Sequence, residues 1–160
     1  MDTARITETL TDPVTLDLID RQPLMRIAYT GRDGAPRVVP VGYLLRDGRL
    51  VTFTIPASDK VAALHADPRI AVTIDLNPPL RCLLVRGTAR LREEDGVPAE
   101  YLEYSFRTMP AEQHAAFEQQ VRALYDSMVR ITITPTWVRL NDFERTAPRA
   151  VERLIASKGV

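Results

Sequence analysis

Residues 24–54 read LMRIAYTGRDGAPRVVPVGYLLRDGRLVTFT, and this stretch decides the fold. Three runs rich in β-branched and aliphatic residues, 24–30, 36–45 and 49–54, are separated by GRDG at 31–34 and by Asp47-Gly48. Gly and Asp are the residues that tight turns select, so the pattern predicts strands joined by hairpins. Parallel strands would need crossovers of roughly a dozen residues between them. Neither turn is that long. The stretch therefore predicts three antiparallel strands in a meander.

Working outward, residues 12–21 (DPVTLDLIDR) predict a short amphipathic helix, with Asp12 as cap, Pro13 in the first turn, and Val14, Leu18 and Ile19 on one face. Beyond the meander a helix starts near Ser58, carries Val61, Leu64 and His65, and stops before Asp67-Pro68. Residues 70–76 alternate as a fourth strand, and 80–91 form a fifth with Gly87 at a bulge. Residues 98–128 read as helix in two pieces, divided at Met109-Pro110. In the second piece Phe117, Val121, Leu124 and Tyr125 form a stripe that Met128 extends, which reads as core or dimer packing. A sixth strand occupies 129–134, Pro135 interrupts it, TWVRL continues it, and a helix near 148–157 follows.

The fold class is therefore mainly β with helices. It is a six-stranded antiparallel barrel with a short helix after strand three, a helical excursion before the last strand, and terminal helices. One domain spans 1–160. Its core is at about 24–91, a helical insertion at about 97–128, and the last strand and C-terminal helix at 129–157.

Twenty-one basic residues balance twenty-one acidic ones, so no net field draws nucleic acid or an anionic membrane. No apolar run approaches the ~20 residues of a membrane span, and MDTARITETLTDP lacks the charged-then-apolar order of a signal peptide. Cys82 is the one cysteine, so neither a disulfide framework nor a cysteine zinc site is possible. A cytoplasmic location is the expectation. Nineteen of the basic residues are arginine, and Lys60 and Lys158 are the two lysines. A lysine at position 60 in so arginine-rich a chain fits a site that prefers a compact ammonium to a planar fork.

Hydrolytic and metal chemistry lack a residue set. The chain carries no G-x-G-x-x-G, Walker loop, H-E-x-x-H or G-x-S-x-G, and His65 and His114 lie far apart without partners at ligand spacing. No metal ligands and no catalytic acid or base are assigned. What remains is the pairing of RVVPVG (37–42) with TIPASDK (54–60). The second piece places hydroxyls of Thr54 and Ser58 and the Lys60 ammonium at a helix start, where unsatisfied amides and the macrodipole favour an anion. In the first piece Pro40 cannot donate to a ladder, and Gly42 lets a planar ligand approach the backbone. The same residues are equally accounted for by Ser58 as a simple N-cap and Lys60 as a solvated charge.

Four motifs, RIAYTGRDGAPRVVPV (26–41), LVTFTIPASDK (50–60), HADPRIAVTID (65–75) and RCLLVRGTARL (81–91), occur in an order and spacing that resemble the flavin-binding split-barrel family. This is the class of pyridoxamine 5′-phosphate oxidase and its deazaflavin-using relatives. The resemblance implies a split barrel binding FMN, or alternatively coenzyme F-420, at the interface of a homodimer. It implies hydride transfer on a small-molecule substrate, with a non-enzymatic flavin- or haem-binding protein as a further alternative. It places Arg37, Val38, Val39, Pro40 and Val41 along the flavin, with Phe53 and Thr54 continuing that wall. The resemblance further implies that Ser58 and Lys60 hold the phosphate beside Asp59, and that Arg81 and Cys82 approach from the second subunit.

Three departures matter. Asp59 stands where the oxidase has a basic residue, and Gly42 stands where it has a substrate-gripping lysine. The oxidase's C-terminal arginine-histidine motif also lacks a counterpart at matching spacing. Pyridoxine phosphate is thus not the expected substrate, and Gly42 leaves room for a larger cofactor.

Overall fold

The computed structural model describes residues 1–145 and 149–159. The order is α1 (Thr3–Thr11), α2 (Pro13–Arg21), β1 (Leu24–Thr30), β2 (Pro36–Gly42), β3 (Leu44–Arg46), β4 (Arg49–Thr54), α3 (Asp59–Ala66), β5 (Arg69–Leu76), β6 (Arg81–Asp95), α4 (Ala99–Phe106), a 3-10 turn (Ala111–Gln113), α5 (His114–Leu124), β7 (Ser127–Asp142) and α6 (Arg149–Lys158). Pro148, where the C-terminal helix was expected to begin, lies outside the described residues. Among the described residues no helix is long and apolar enough to cross a membrane.

All the strand pairings are antiparallel, in one sheet ordered β2-β1-β5-β6-β7-β4-β3. The sheet has seven strands, not six, because the run 36–45 breaks at Tyr43. β2 pairs with β1 and β3 pairs with β4, so the two lie at opposite edges although one residue separates them in sequence. The expected meander is corrected accordingly: β2 and β4 are not ladder neighbours. The sheet must curl until its edges meet at Tyr43, and the ladder stays unclosed there. That is a barrel with a split. Tyr43 is fully buried and its hydroxyl donates to the Gln22 carbonyl at 2.9 Å, which fixes the corner.

The barrel interior is filled by the alternate residues that strand periodicity turns inward: Ile27, Leu50, Val72, Ile74, Leu83, Val85, Ile131 and Ile133. Ile6 and Leu10 of α1, Leu18 of α2 and Leu64 of α3 join the same cluster. A second cluster joins Leu44, Val51, Phe53 and Met128 on strands to Leu102, Tyr104 and Val121 of the helical excursion. β4 is therefore buried on both faces, with Leu50 in one cluster and Val51 and Phe53 in the other. Within the predicted stripe Phe117, Val121 and Tyr125 do pack here, but Leu124 is 63% exposed and Met128 already belongs to β7.

Pro135 does not interrupt the last strand. β7 runs through it because Pro135 faces Gly87, where the β6–β7 register shifts. A Cβ at Gly87 would lie 2.4 Å from the Thr134 carbonyl oxygen, so only glycine admits β7 at this distance.

Candidate functional site

The mouth of α3 follows directly on β4. Ser58 is the N-cap residue in extended conformation, yet its side chain makes no cap hydrogen bond. Among the described residues the amides of Asp59 and Lys60 also take no partner, as first-turn amides must unless something outside the helix accepts from them. Lys60 is half-buried and forms no ion pair among the described residues, and burial pulls its pKa below the usual 10.5. Desolvation without a counter-charge is unfavourable for an ammonium. An anion arriving here therefore meets a hydroxyl, two open amides and an uncompensated cation.

Arg37 is engaged differently. Its Nη2 donates to Asp33 Oδ2 at 2.7 Å across the β1–β2 turn. That bond holds the Asp33 carboxyl below the usual carboxylate range and raises the Arg37 pKa further. Asp59 at the start of α3 adds a smaller charge attraction to the latter.

Along β2, Val39 and Val41 pack against the barrel core, while Val38 and Pro40 face outward, Val38 being 65% exposed. β2 is an edge strand, so the backbone groups not paired with β1 are open to a ligand. At its end a cleft of about 250 Å³ brings Val41, Gly42 and Phe53 together with Leu24, Tyr101 and Tyr104. The room expected beside Gly42 is taken: a Cβ there would lie 2.3 Å from Tyr104 Cδ2. The Tyr104 hydroxyl accepts from the Phe53 amide at 3.2 Å, in effect capping β4 where β3 has ended. Tyr104 was not singled out from the sequence. Its spacing with Tyr101 in α4 reads as ordinary core, and only the fold reveals which glycine it covers.

Neither Arg81 nor Cys82 lines that cleft. Arg81, 13% exposed in its side chain, is held by carboxylates of its own chain, with Nη1 3.0 Å from Asp17, Nε 3.5 Å from Asp142 and Nη2 3.5 Å from Glu144. It is an internal clamp between α2, β6 and the end of β7. Cys82 is partly exposed on the outer face of the sheet, its Sγ 3.2 Å from Thr73 Oγ1.

An antiparallel barrel split between two edge strands, with an uncapped helix mouth behind β4, defines the structural class. The family model for pyridoxamine 5′-phosphate oxidase matches residues 11–142, and the chain belongs to that family. No curated protein matches it. Among solved structures, the conserved hypothetical protein Rv2991 from Mycobacterium tuberculosis aligns with a TM-score of 0.60 and 21% identity over 92% of this chain and 89% of that one. An F420 reductase aligns with a TM-score of 0.59 and 22% identity, covering 77% of this chain and 94% of that one. The haem storage protein HutZ from Vibrio cholerae aligns at 0.58 and 12% identity, covering 82% and 93%. At these identities the likeness concerns the fold alone.

Proposed function

We propose that the chain is a homodimeric oxidoreductase that holds FMN at its subunit interface, with the cofactor phosphate at the mouth of α3. The observation that carries this reading is the half-buried Lys60 ammonium, unpaired among the described residues, beside the uncapped Ser58 and two open amides. Together they give a terminal phosphate at least four donors for its three oxygens. A bound flavin supplies hydride transfer through its ring system, and the protein supplies binding and orientation. The open edge of β2 at 38–42 is the surface offered to the ring, with Phe53 and Thr54 continuing it. Cys82 remains a candidate to reach the cofactor across the dimer, and Arg81 leaves the list because three carboxylates already hold it. Pyridoxine phosphate is not the substrate in this reading. Gly42 brings no cation, and the Tyr104 ring fills the space beside it.

A second reading, coenzyme F-420, is favoured by one specific observation. With Arg37 bound to Asp33 and Asp59 next in sequence, Lys60 is the cation left among the described residues at the α3 mouth. A singly charged phosphodiester tolerates Asp59 better than a dianionic monoester does.

Purification from a host that makes both cofactors, followed by a visible spectrum and titration of the apo protein with each, tests the assignment. A two-band flavin spectrum and tighter binding of FMN are expected. A single deazaflavin band moves the assignment to F-420. Binding of neither overturns the redox reading.

A further inference from the structure

The outer face of β4, β7 and β6 carries a groove of about 500 Å³ whose walls hold Arg46, Arg49, Arg90, Arg92 and Arg130. Three of these cations are neutralised locally. Arg46 Nη2 lies 2.5 Å from Glu103. Arg130 Nε lies 2.9 Å from Glu94, which Arg92 also contacts, and Arg130 reaches Glu100 as well. Arg49 and Arg90 form no ion pair or hydrogen bond through their side chains among the described residues, although Asp47 stands on the rim.

The register puts these two arginines on either side of a polar floor. Arg90 of β6 pairs opposite Thr132 of β7. One step beyond the Leu50–Ile133 pair, Arg49 of β4 flanks Thr134. Both threonines line the groove, two residues apart and so on one face of β7. Strand spacing of about 4.8 Å and a two-residue step of about 6.8 Å put the Arg49 and Arg90 backbones roughly 12 Å apart. Two arginine side chains can close that gap on one ligand.

We propose that this groove binds a small molecule through a phosphate or diphosphate group, gripped between the Arg49 and Arg90 guanidiniums above the Thr132 and Thr134 hydroxyls. Two guanidinium forks and two hydroxyls present about six donors, more than one carboxylate accepts and well matched to a diphosphate. The site is distinct from the α3 mouth. Helix α4 stands between groove and cleft, turning Glu100 to the groove and Tyr101 and Tyr104 to the cleft. The assignment does not depend on which redox cofactor the protein holds.

Titration with inorganic pyrophosphate tests it on three proteins: wild type, Arg49→Gln with Arg90→Gln, and Lys60→Ala. Pyrophosphate also suits the anion site at the α3 mouth, so groove binding is read from the amide NMR shifts of Thr132 and Thr134. The double variant should keep the wild-type melting temperature and lose affinity at the groove at least about tenfold, as removal of charge-assisted bonds requires. In Lys60→Ala the Thr132 and Thr134 shifts should titrate as in wild type, whatever happens at the α3 mouth. Unchanged titration of Thr132 and Thr134 in the folded double variant overturns the proposal, as does its loss on Lys60→Ala alone. No binding by wild type overturns it too.

Discussion

Lys60 and Arg81 are both partly buried cations, and the resemblance read from the sequence put both in the candidate cofactor site. Arg81 is surrounded by Asp17, Asp142 and Glu144, drawn from far along the chain. Lys60 has no acidic partner among the described residues, and its burial lowers its pKa with nothing to offset the cost. The difference separates two tasks that sequence cannot distinguish. A cation whose field is already spent on its own chain holds the fold, whereas one left desolvated and uncompensated is available to a ligand.

The sharpest way to break this comparison is Arg81→Met. Removing the cation from a largely buried cluster should cost about 3 kcal/mol of folding stability, at the low end for such pairs because Asp17 and Glu144 reach solvent. Urea denaturation reads the loss, and FMN affinity of the folded variant should be unchanged. A parallel loss of affinity would return Arg81 to the cofactor site.

Gly42→Ala comes next. The new methyl meets the Tyr104 ring at 2.3 Å, so about 1–3 kcal/mol of stability should be lost through overpacking. Combining it with Tyr104→Ala should remove that clash. A stable single variant would mean that α4 moves away easily and the cleft is wider than it stands.

The third prediction concerns pH. An anchoring anion favours the protonated lysine, and the Lys60 pKa in the free protein lies below 10.5. FMN affinity should therefore stay level upward from about pH 7, above the phosphate's second pKa near 6, and begin to fall before pH 10.5, by at most about tenfold per unit. Lys60→Ala should show no such decline. Identical alkaline profiles for the two proteins would remove Lys60 from the anchor.

The smallest effect is expected at Arg37. Its ion pair with Asp33 is exposed and screened by solvent, so Arg37→Ala should leave the melting temperature at the wild-type value. With the guanidinium already engaged, FMN affinity should fall far less than in Lys60→Ala. Equal losses would show that Arg37 leaves Asp33 for the phosphate.

The hairpins and the strand-to-helix passage at 49–66 were legible because turn residues and period-two alternation are local signals. The corner at Tyr43 was not. An apolar run from 36 to 45 looks continuous, and its break is imposed by the sheet closing on itself. α1 was missed because TARITETLT holds just two core residues, Ile6 and Leu10, among threonines and charges. Pro135 read as an interruption because its accommodation depends on Gly87 in the neighbouring strand. In the candidate site, the place of Ser58 and Lys60 at a helix start was readable. The carboxylates around Arg81 and the ring over Gly42 were not, since each joins residues distant in sequence that only the fold brings together.

The most direct test is a side-by-side FMN titration of wild type and Lys60→Ala, with melting temperatures recorded on the same samples. The account predicts that Lys60→Ala melts no lower than wild type and binds FMN about 1.5–3 kcal/mol more weakly, the loss of one charge-assisted hydrogen bond. Equal affinity in a folded variant would contradict it, and would make Lys60 a buried cation with no role at the mouth of α3.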